Sequence, residues 1–296
     1  MHKFMKAIGF SNCYTKRQMD DIIKLVMSDP NEEEQVQDGL GRKLFQMKKE
    51  FARNMGVSII GEIDKRGFRN VLFAFPYLVG NHTTTEDDIQ LQKFAEKDAY
   101  AGISEDYNLG VSLIFYLINI APIIERQNKQ QNLDYQKVRL SALSTEGKVL
   151  FGVQKDPQLI NKDADGQSNR SALIQEAKNG DMDAIENLTL EDIDLYTMIS
   201  RRALTEDVYS IVDTTFMPYG VESDQYSIIG HINAVSRCYN RTTEELIYVL
   251  QVDCNGMDIE VAINQKDLVG EPLAGRRFKG NIWLQGMLEL TNLTMY

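Results

Sequence analysis

The sequence predicts an α+β protein. It has a mixed N-terminal part, an acidic helical connector and a C-terminal small β-barrel of the oligonucleotide/oligosaccharide-binding kind, or else a small sandwich. Three observations predict this. The chain has 296 residues of ordinary apolar and charged content, about two domains' worth and enough to bury a core. Its formal net charge of −11 is uneven: residues 1–154 hold about 20 basic and about 20 acidic residues, so residues 155–296 carry the whole deficit. The hydrophobic patterning changes at the same place. The divisions that follow are 1–153 for the α+β domain, 154–168 for a linker, 169–222 for the acidic helical segment and 223–296 for the β unit.

The elements follow in order. Thr15 is placed to cap a helix towards Met27, with Ile22, Ile23, Val26 and Met27 on one face and Pro30 beyond its end. Glu32-Glu33-Glu34 reads as a solvated loop or a helix start. Val57–Ile63 and Phe68–Phe75 are β-branched and aromatic runs joined by the turn Asp64-Lys65-Arg66-Gly67. Residues Thr85 to Ala99 are polar and permit a helix. Leu109 to Gln127 reads as a buried helix that Pro122 kinks or restarts. A second hairpin is expected from Lys137–Leu143 and Lys148–Val153 around Ser144-Thr145-Glu146-Gly147.

Past the linker the pattern is helical and acidic. Ser171–Lys178 is one short helix, ended by Gly180. Thr189 is expected to cap the next, with Asp192 completing a capping box. Thr205 opens a third through Val208, Ile211 and Val212. Asn255-Gly256 is the strongest turn signal in the chain. A two-residue turn there pairs Cys254 with Met257, Val252 with Ile259, Leu250 with Val261 and Tyr248 with Ile263, all apolar. The other face pairs Asp253 with Asp258 and Gln251 with Glu260, all polar, so turn and alternation agree on one register. Strands over Ser227–Val235 and Arg277–Leu290 complete the unit.

Few residues offer chemistry. Cys13, Cys238 and Cys254 have no paired spacing, which argues against a disulfide framework or a structural zinc site. Lys16 and Arg17 near Cys13 could lower its pKa, but equally are surface charges before a helix. His2, His82 and His231 lack metal-binding spacing. Asn161-x-Asp163-x-Asp165-Gly166 resembles the first half of a calcium loop, but Ala172 stands where a bidentate Glu is required. The carboxylates Glu191, Asp192, Asp194, Glu206 and Asp207 sit in first helical turns, where the helix dipole explains them. Phosphate-loop, dinucleotide and nucleophile-elbow motifs are absent, and no cofactor is expected. The opening MHKFMKAIGFS lacks an apolar export core. The apolar run Val111 to Ile124 is shorter than the roughly 18–20 residues of a membrane helix, so a cytoplasmic protein without membrane contact is expected.

Two surfaces stand out. Arg276-Arg277-Phe278-Lys279 with Trp283 interleaves cations and rings on a strand, as single-stranded nucleic-acid binding requires. An ordinary charged edge strand explains it too, and the acidic charge of this half disfavours nucleic acid. Phe216-Met217-Pro218-Tyr219-Gly220 is aromatic and turn-rich, suiting either an interaction surface or a buried joint.

Long strings spread along the chain resemble a bacterial family of clostridia-like anaerobes described only as a domain of unknown function. They include MHKFMKAIGF, AEKDAYAGISED, GVSLIFYL, AIENLTLEDIDLYTMISRRAL and GEPLAGRRFKGNIWLQG. The resemblance implies a bacterial, cytosolic protein with the family's fold, and brings no catalytic residue or substrate. The functional expectation is a non-enzymatic binding or adaptor protein that recognises a protein partner or a small ligand. An enzyme with a site assembled from distant residues, or nucleic-acid binding through the barrel, are the alternatives.

Overall fold

The computed structural model describes residues 2–13, 15–83, 89–93, 99–106, 111–128, 137–152, 173, 176–177, 181–190 and 208–289. The expected linker 154–168, its calcium-like loop and the carboxylates from Glu191 to Asp207 lie outside these residues. So do most of the Ser171–Lys178 helix and Thr205.

Helix α1 (Lys16–Ser28) starts at Thr15 as expected. The Thr15 hydroxyl accepts from the Gln18 amide at 3.3 Å, and the Gln18 side chain accepts from the Thr15 amide at 2.9 Å, closing a capping box. Met19, Ile22 and Val26 are buried where the helix packs on a four-stranded antiparallel meander. Its strands are β1 (Glu32–Gln37), β2 (Lys43–Ala52), β3 (Met55–Ile63) and β4 (Arg69–Leu78). The Glu32-Glu33-Glu34 run is thus an edge strand, not a loop or helix start. It lies opposite the basic strand β2, where Lys48 reaches Glu32 at 3.0 Å, and its charges guard the edge. The β3–β4 turn is the one expected. Gly67 has φ +86°, and the Asp64 carboxylate accepts from the amides of Arg66 and Phe68, both at 2.8 Å.

Three expectations fail in the middle of the chain. The described part of Thr85–Ala99 is a strand, β5 (Ile89–Lys93), which pairs with β6 (Tyr100–Asp106). The apolar run splits into strand β7 (Val111–Leu117) and helix α2 (Ile120–Asn128). Its first half is β-branched and aromatic, and Pro122 falls in the helix's first turn, where a proline is tolerated. The Gln46 carbonyl accepts from the amides of Ile120 and Ala121 at 3.1 and 3.2 Å, capping that turn from the neighbouring sheet. Residues Lys137–Leu150 form one strand, β8, instead of a hairpin.

Residues 182–190 are helical, and the cap is Asp181, which accepts from the amides of Asp183 and Ala184. Thr189 lies inside this helix with its hydroxyl donating to the Ile185 carbonyl at 2.7 Å, and the expected capping box with Asp192 lies outside the described residues. Past the short helix α3 (Val208–Ile211) come β9 (Thr215–Pro218), β10 (Gln225–Tyr239), β11 (Leu246–Cys254), β12 (Met257–Asn264), β13 (Leu268–Val269) and β14 (Arg277–Glu289). Every expected pairing around Asn255-Gly256 is present, and both turn residues have positive φ, +56° and +85°.

The main-chain pairings run in a circuit of five strands, β8–β12–β11–β10–β14 and back to β8. Strand β8 lies parallel to β12 and antiparallel to β14 along its whole length. Strand β10 changes partner at His231, from β14 to β11, past a bulge between Ile232 and Ala234. Gly147 of β8 faces Gly280 of β14, and the Phe278 ring lies over both: a Cβ on either glycine would sit 2.4 Å from that ring.

Buried polar side chains bolt the meander to the circuit. Gln285 accepts from the Leu78 amide at 3.0 Å and donates to the Pro76 carbonyl at 2.8 Å, while the Ser141 hydroxyl donates to the Leu78 carbonyl at 2.6 Å. The N-terminal 3-10 helix Lys3–Ile8 is bound by Asn240, which donates to the Ile8 carbonyl at 2.8 Å, and by the Lys6–Asp267 ion pair at 2.8 Å. The buried side chains form one contiguous core through both sheets. The protein is therefore α+β and dominated by strands. Among the described residues no helix is long and apolar enough to cross a membrane.

Candidate functional site

The two-residue turn Arg53-Asn54 joins β2 to β3, with Asn54 in the left-handed region at φ +59°. The Arg241 amide donates to the Phe51 carbonyl at 2.7 Å, which holds this turn beside β10. A cleft of about 290 Å³ lies between the turn and the outer face of β10 and β11. Leu78, Ala234, Val235 and Val249 are its apolar lining. Arg53, Arg237, Ser236, Gln251 and Glu260 are among its polar groups.

The polar side chains are ordered in a chain. Asn54 donates to the Asn81 carbonyl oxygen at 2.7 Å. Asn81 in turn donates to both Glu260 oxygens, at 2.8 and 3.0 Å from its side chain and at 3.3 Å from its backbone amide. Arg237 lies over the ring of its cross-strand partner Tyr248 at 5.5 Å, on the face of the sheet opposite Ser236, Val249 and Gln251. Neither Arg53 nor Arg237 has a carboxylate partner among the described residues. Sequence reasoning found one wall of this cleft, the polar Gln251/Glu260 face of the hairpin. It missed Arg53, Asn54 and Asn81, which reach that face only through tertiary packing.

The residues singled out from sequence occupy other places. Trp283 is buried. Its ring lies 5.4 Å from Phe4 and 5.0 Å from Tyr116, and its Nε1 donates to Asp224 at 2.8 Å. Phe278 is also buried, on the opposite face of the strand. Both faces of β14 are covered here, one by the circuit's interior and one by the N-terminal segment and β7. Arg277 is buried too. Its guanidinium donates to the carbonyls of Phe151 (2.9 Å), Val212 (2.5 Å) and Tyr209 (2.5 Å), and burial holds its pKa below the usual arginine value. Lys279 sits 4.1 Å above the Tyr209 ring, and Arg276 stacks over Phe151 at 5.6 Å. All five cluster residues thus hold neighbouring segments or the core. No face of Trp283 is open to stack on a base. Of the second surface, Phe216 is buried against Tyr226, while Met217 and Tyr219 are exposed beside β9.

Among the described residues no group of three His, Cys, Asp or Glu is placed to hold a metal ion. His231 Nε2 lies 2.8 Å from Asp213, and His2 packs on Trp283 at 4.3 Å. Burial pushes the Cys254 thiol up to about 12, helped by Asp253, and burial raises Cys13 and Cys238 as well. Desolvation dominates at Cys13, which fits the reading of Lys16 and Arg17 as surface charges before a helix. The facing carboxylates of Asp253 and Asp258 are each relieved locally. Asp253 accepts from the Gly256 amide at 2.9 Å, and Asp258 from Asn233 at 3.2 Å.

No curated protein and no solved structure matches the chain. One family model does, over residues 5–286, a span that takes in the meander, the circuit and the cleft between them. The chain therefore belongs to the family described as "Domain of unknown function, E. rectale Gene description (DUF3881)".

Proposed function

We propose that the protein is a binding protein that holds a small ligand in the cleft between the β2–β3 turn and the β10–β11 face. The cleft carries this reading. Its floor is apolar, its rim is polar, and its walls come from two different sheets, as in ligand sites generally. The polar groups include amides, the Arg53 guanidinium and a carboxylate already fixed by amide donors, a set that orients a ligand. A volume of about 290 Å³ suits a metabolite rather than a dinucleotide. On this reading the five-strand circuit is a small barrel of the oligonucleotide/oligosaccharide-binding kind, working as a rigid scaffold in a bacterial cytoplasm.

The test is to purify the full chain and its Ser236→Trp variant from the same cells, denature both, and identify released small molecules by mass spectrometry. Ser236 is exposed on β10, where a Trp is tolerated and fills the cleft. A compound released at near-stoichiometric yield from the wild type and missing from the variant is expected. Identical release from both would sink the reading.

A protein partner is the second reading. Strand β9 pairs only with β10 among the described residues, and exposed Met217 and Tyr219 lie along it. Met217→Lys and Tyr219→Lys should then abolish co-purification of one defined protein, and a partner retained by both variants would count against it.

A further inference from the structure

Resting on that cleft reading, we infer that the site selects a small organic cation, a primary ammonium carried on a short apolar body. The oxygens left unengaged in the cleft point this way. Gln251 pairs with Glu260 across β11 and β12, and Ser236 pairs with Val249 two positions along, so these four side chains share one face of the sheet. Asn81 donates to both Glu260 oxygens, which fixes its amide with the nitrogen towards the carboxylate and the oxygen towards Asn54. Asn54 therefore turns its own nitrogen to Asn81, and its carbonyl oxygen is left over. Gln251 is oriented by the same logic: its nitrogen lies 3.4 Å from the Asp258 carboxylate, and its oxygen has no donor among the described residues. The Ser236 hydroxyl spends its proton on the Val249 carbonyl at 3.4 Å and keeps only acceptor capacity. An ionised carboxylate offers about four lone-pair sites, and the Asn81 contacts occupy three of them on Glu260.

The charges around the cleft favour the same ligand. Arg237 turns to Tyr248 on the other face of the sheet, so Arg53 is the one cation among the described lining residues on the Glu260 side. Arg53 is exposed at the tip of the β2–β3 turn, where water and salt screen it. The wider field has the opposite sign. The chain carries a formal net charge of −11, and Asp258 lines a smaller hollow that shares Gln251 and Glu260 with the cleft. A concave site in such a field concentrates cations. An ammonium carries three donors on one nitrogen, which matches a carboxylate flanked by neutral oxygens, and its bond to Glu260 is charge-assisted. Leu78, Ala234 and Val249 present hydrocarbon to the rest of the ligand.

The experiment uses four probes with one body and different heads: hexylamine, hexyltrimethylammonium, hexanol and hexanoate. Each is titrated calorimetrically into the full chain at pH 7 and about 0.15 M salt, which suppresses attraction to scattered surface carboxylates. Hexylamine is expected to bind about tenfold or more tightly than the alcohol and the carboxylate. Hexyltrimethylammonium has the charge but no N–H, and should bind about tenfold more weakly than hexylamine. Glu260→Gln keeps the shape and removes the charge, so it should erase most of the preference for the amine. Arg53→Gln should leave amine binding unchanged or strengthen it, and Ser236→Trp should abolish it. If hexanol, hexanoate or the trimethylammonium probe binds as tightly as hexylamine and Ser236→Trp still blocks it, the ammonium assignment is overturned while the cleft stands. An amine preference that survives Glu260→Gln overturns the assignment too. Binding unaffected by Ser236→Trp overturns both readings. So does the failure of all four probes to bind more tightly than about 10 mM.

Discussion

Glu245 is the residue whose removal tests how the N-terminal segment is held. It is buried, 9 % exposed, where that segment meets the circuit. Its carboxylate accepts from the Ser11 hydroxyl, from the Ser11 amide at 3.2 Å, from Asn264 at 2.7 Å and from Lys266 at 2.6 Å. Burial alone would raise its pKa. The hydrogen bonds from Lys266, Ser11 and Asn264 outweigh that and hold it below the usual glutamate value. In Glu245→Gln, one oxygen becomes an NH2 that faces donors, and the charge is lost. At least two charge-assisted hydrogen bonds disappear, each worth roughly 1.5–3 kcal/mol. The Lys266 side chain is 59 % exposed, so its share is discounted to about 1 kcal/mol or less. The expected loss of stability is therefore about 3 kcal/mol at pH 7.

The sign of the pH dependence follows from the depressed pKa. The contribution of Glu245 is complete above the ordinary glutamate range, about 4.3, and is lost as pH falls through the lower folded value. The gap between wild type and Glu245→Gln should thus be widest at pH 7 and shrink towards pH 3. Urea unfolding of both proteins across that range measures it. A gap below about 0.5 kcal/mol at pH 7, or one that does not narrow with acid, would refute the reasoning.

Further outcomes follow from other contacts. Arg277→Met strips donors from the carbonyls of Phe151, Val212 and Tyr209, so it should cost about 3 kcal/mol and raise hydrogen exchange across residues 209–213; unchanged exchange there would contradict the clamp. Gly147→Ala drives a methyl against the Phe278 ring and should destabilise by about 1–3 kcal/mol. Part of that loss should return in Gly147→Ala combined with Phe278→Leu, and simple addition of the two single losses would show that they do not share space. Cys254, with its thiol pushed up to about 12, should resist iodoacetamide at pH 8 until the protein unfolds; labelling of the folded protein at the rate of a free thiol would rule out this burial.

What could be read from the sequence was local. The β11–β12 register was legible to the residue because Asn255-Gly256 and the alternation of eight side chains make the same demand. The α1 cap was legible because Thr15 and Gln18 satisfy each other within one turn. Strand β8 was not. Its Ser144-Thr145-Glu146-Gly147 looks like a turn, yet Ser144 is there to donate to the Asn281 carbonyl at 2.9 Å, and Gly147 to clear the Phe278 ring. Those causes lie more than 130 positions away. The first turn of α2, after β7, is capped by Gln46, another distant side chain. The cleft fails to announce itself for the same reason. Arg53 and Asn54 are ordinary turn residues until packing sets them against β10, and Glu260 is an ordinary solvent-facing position until Asn81 arrives.

The place of β8 in the circuit has a consequence during synthesis. A ribosome completes residues 137–150 long before it completes β14, the partner that pairs with them from end to end. For that interval a 14-residue strand waits with the edge that β14 covers bare, and its other edge is bare until β12 is made. Chaperone demand should therefore peak late in translation, and chains terminated before β14 should aggregate rather than accumulate as a folded half.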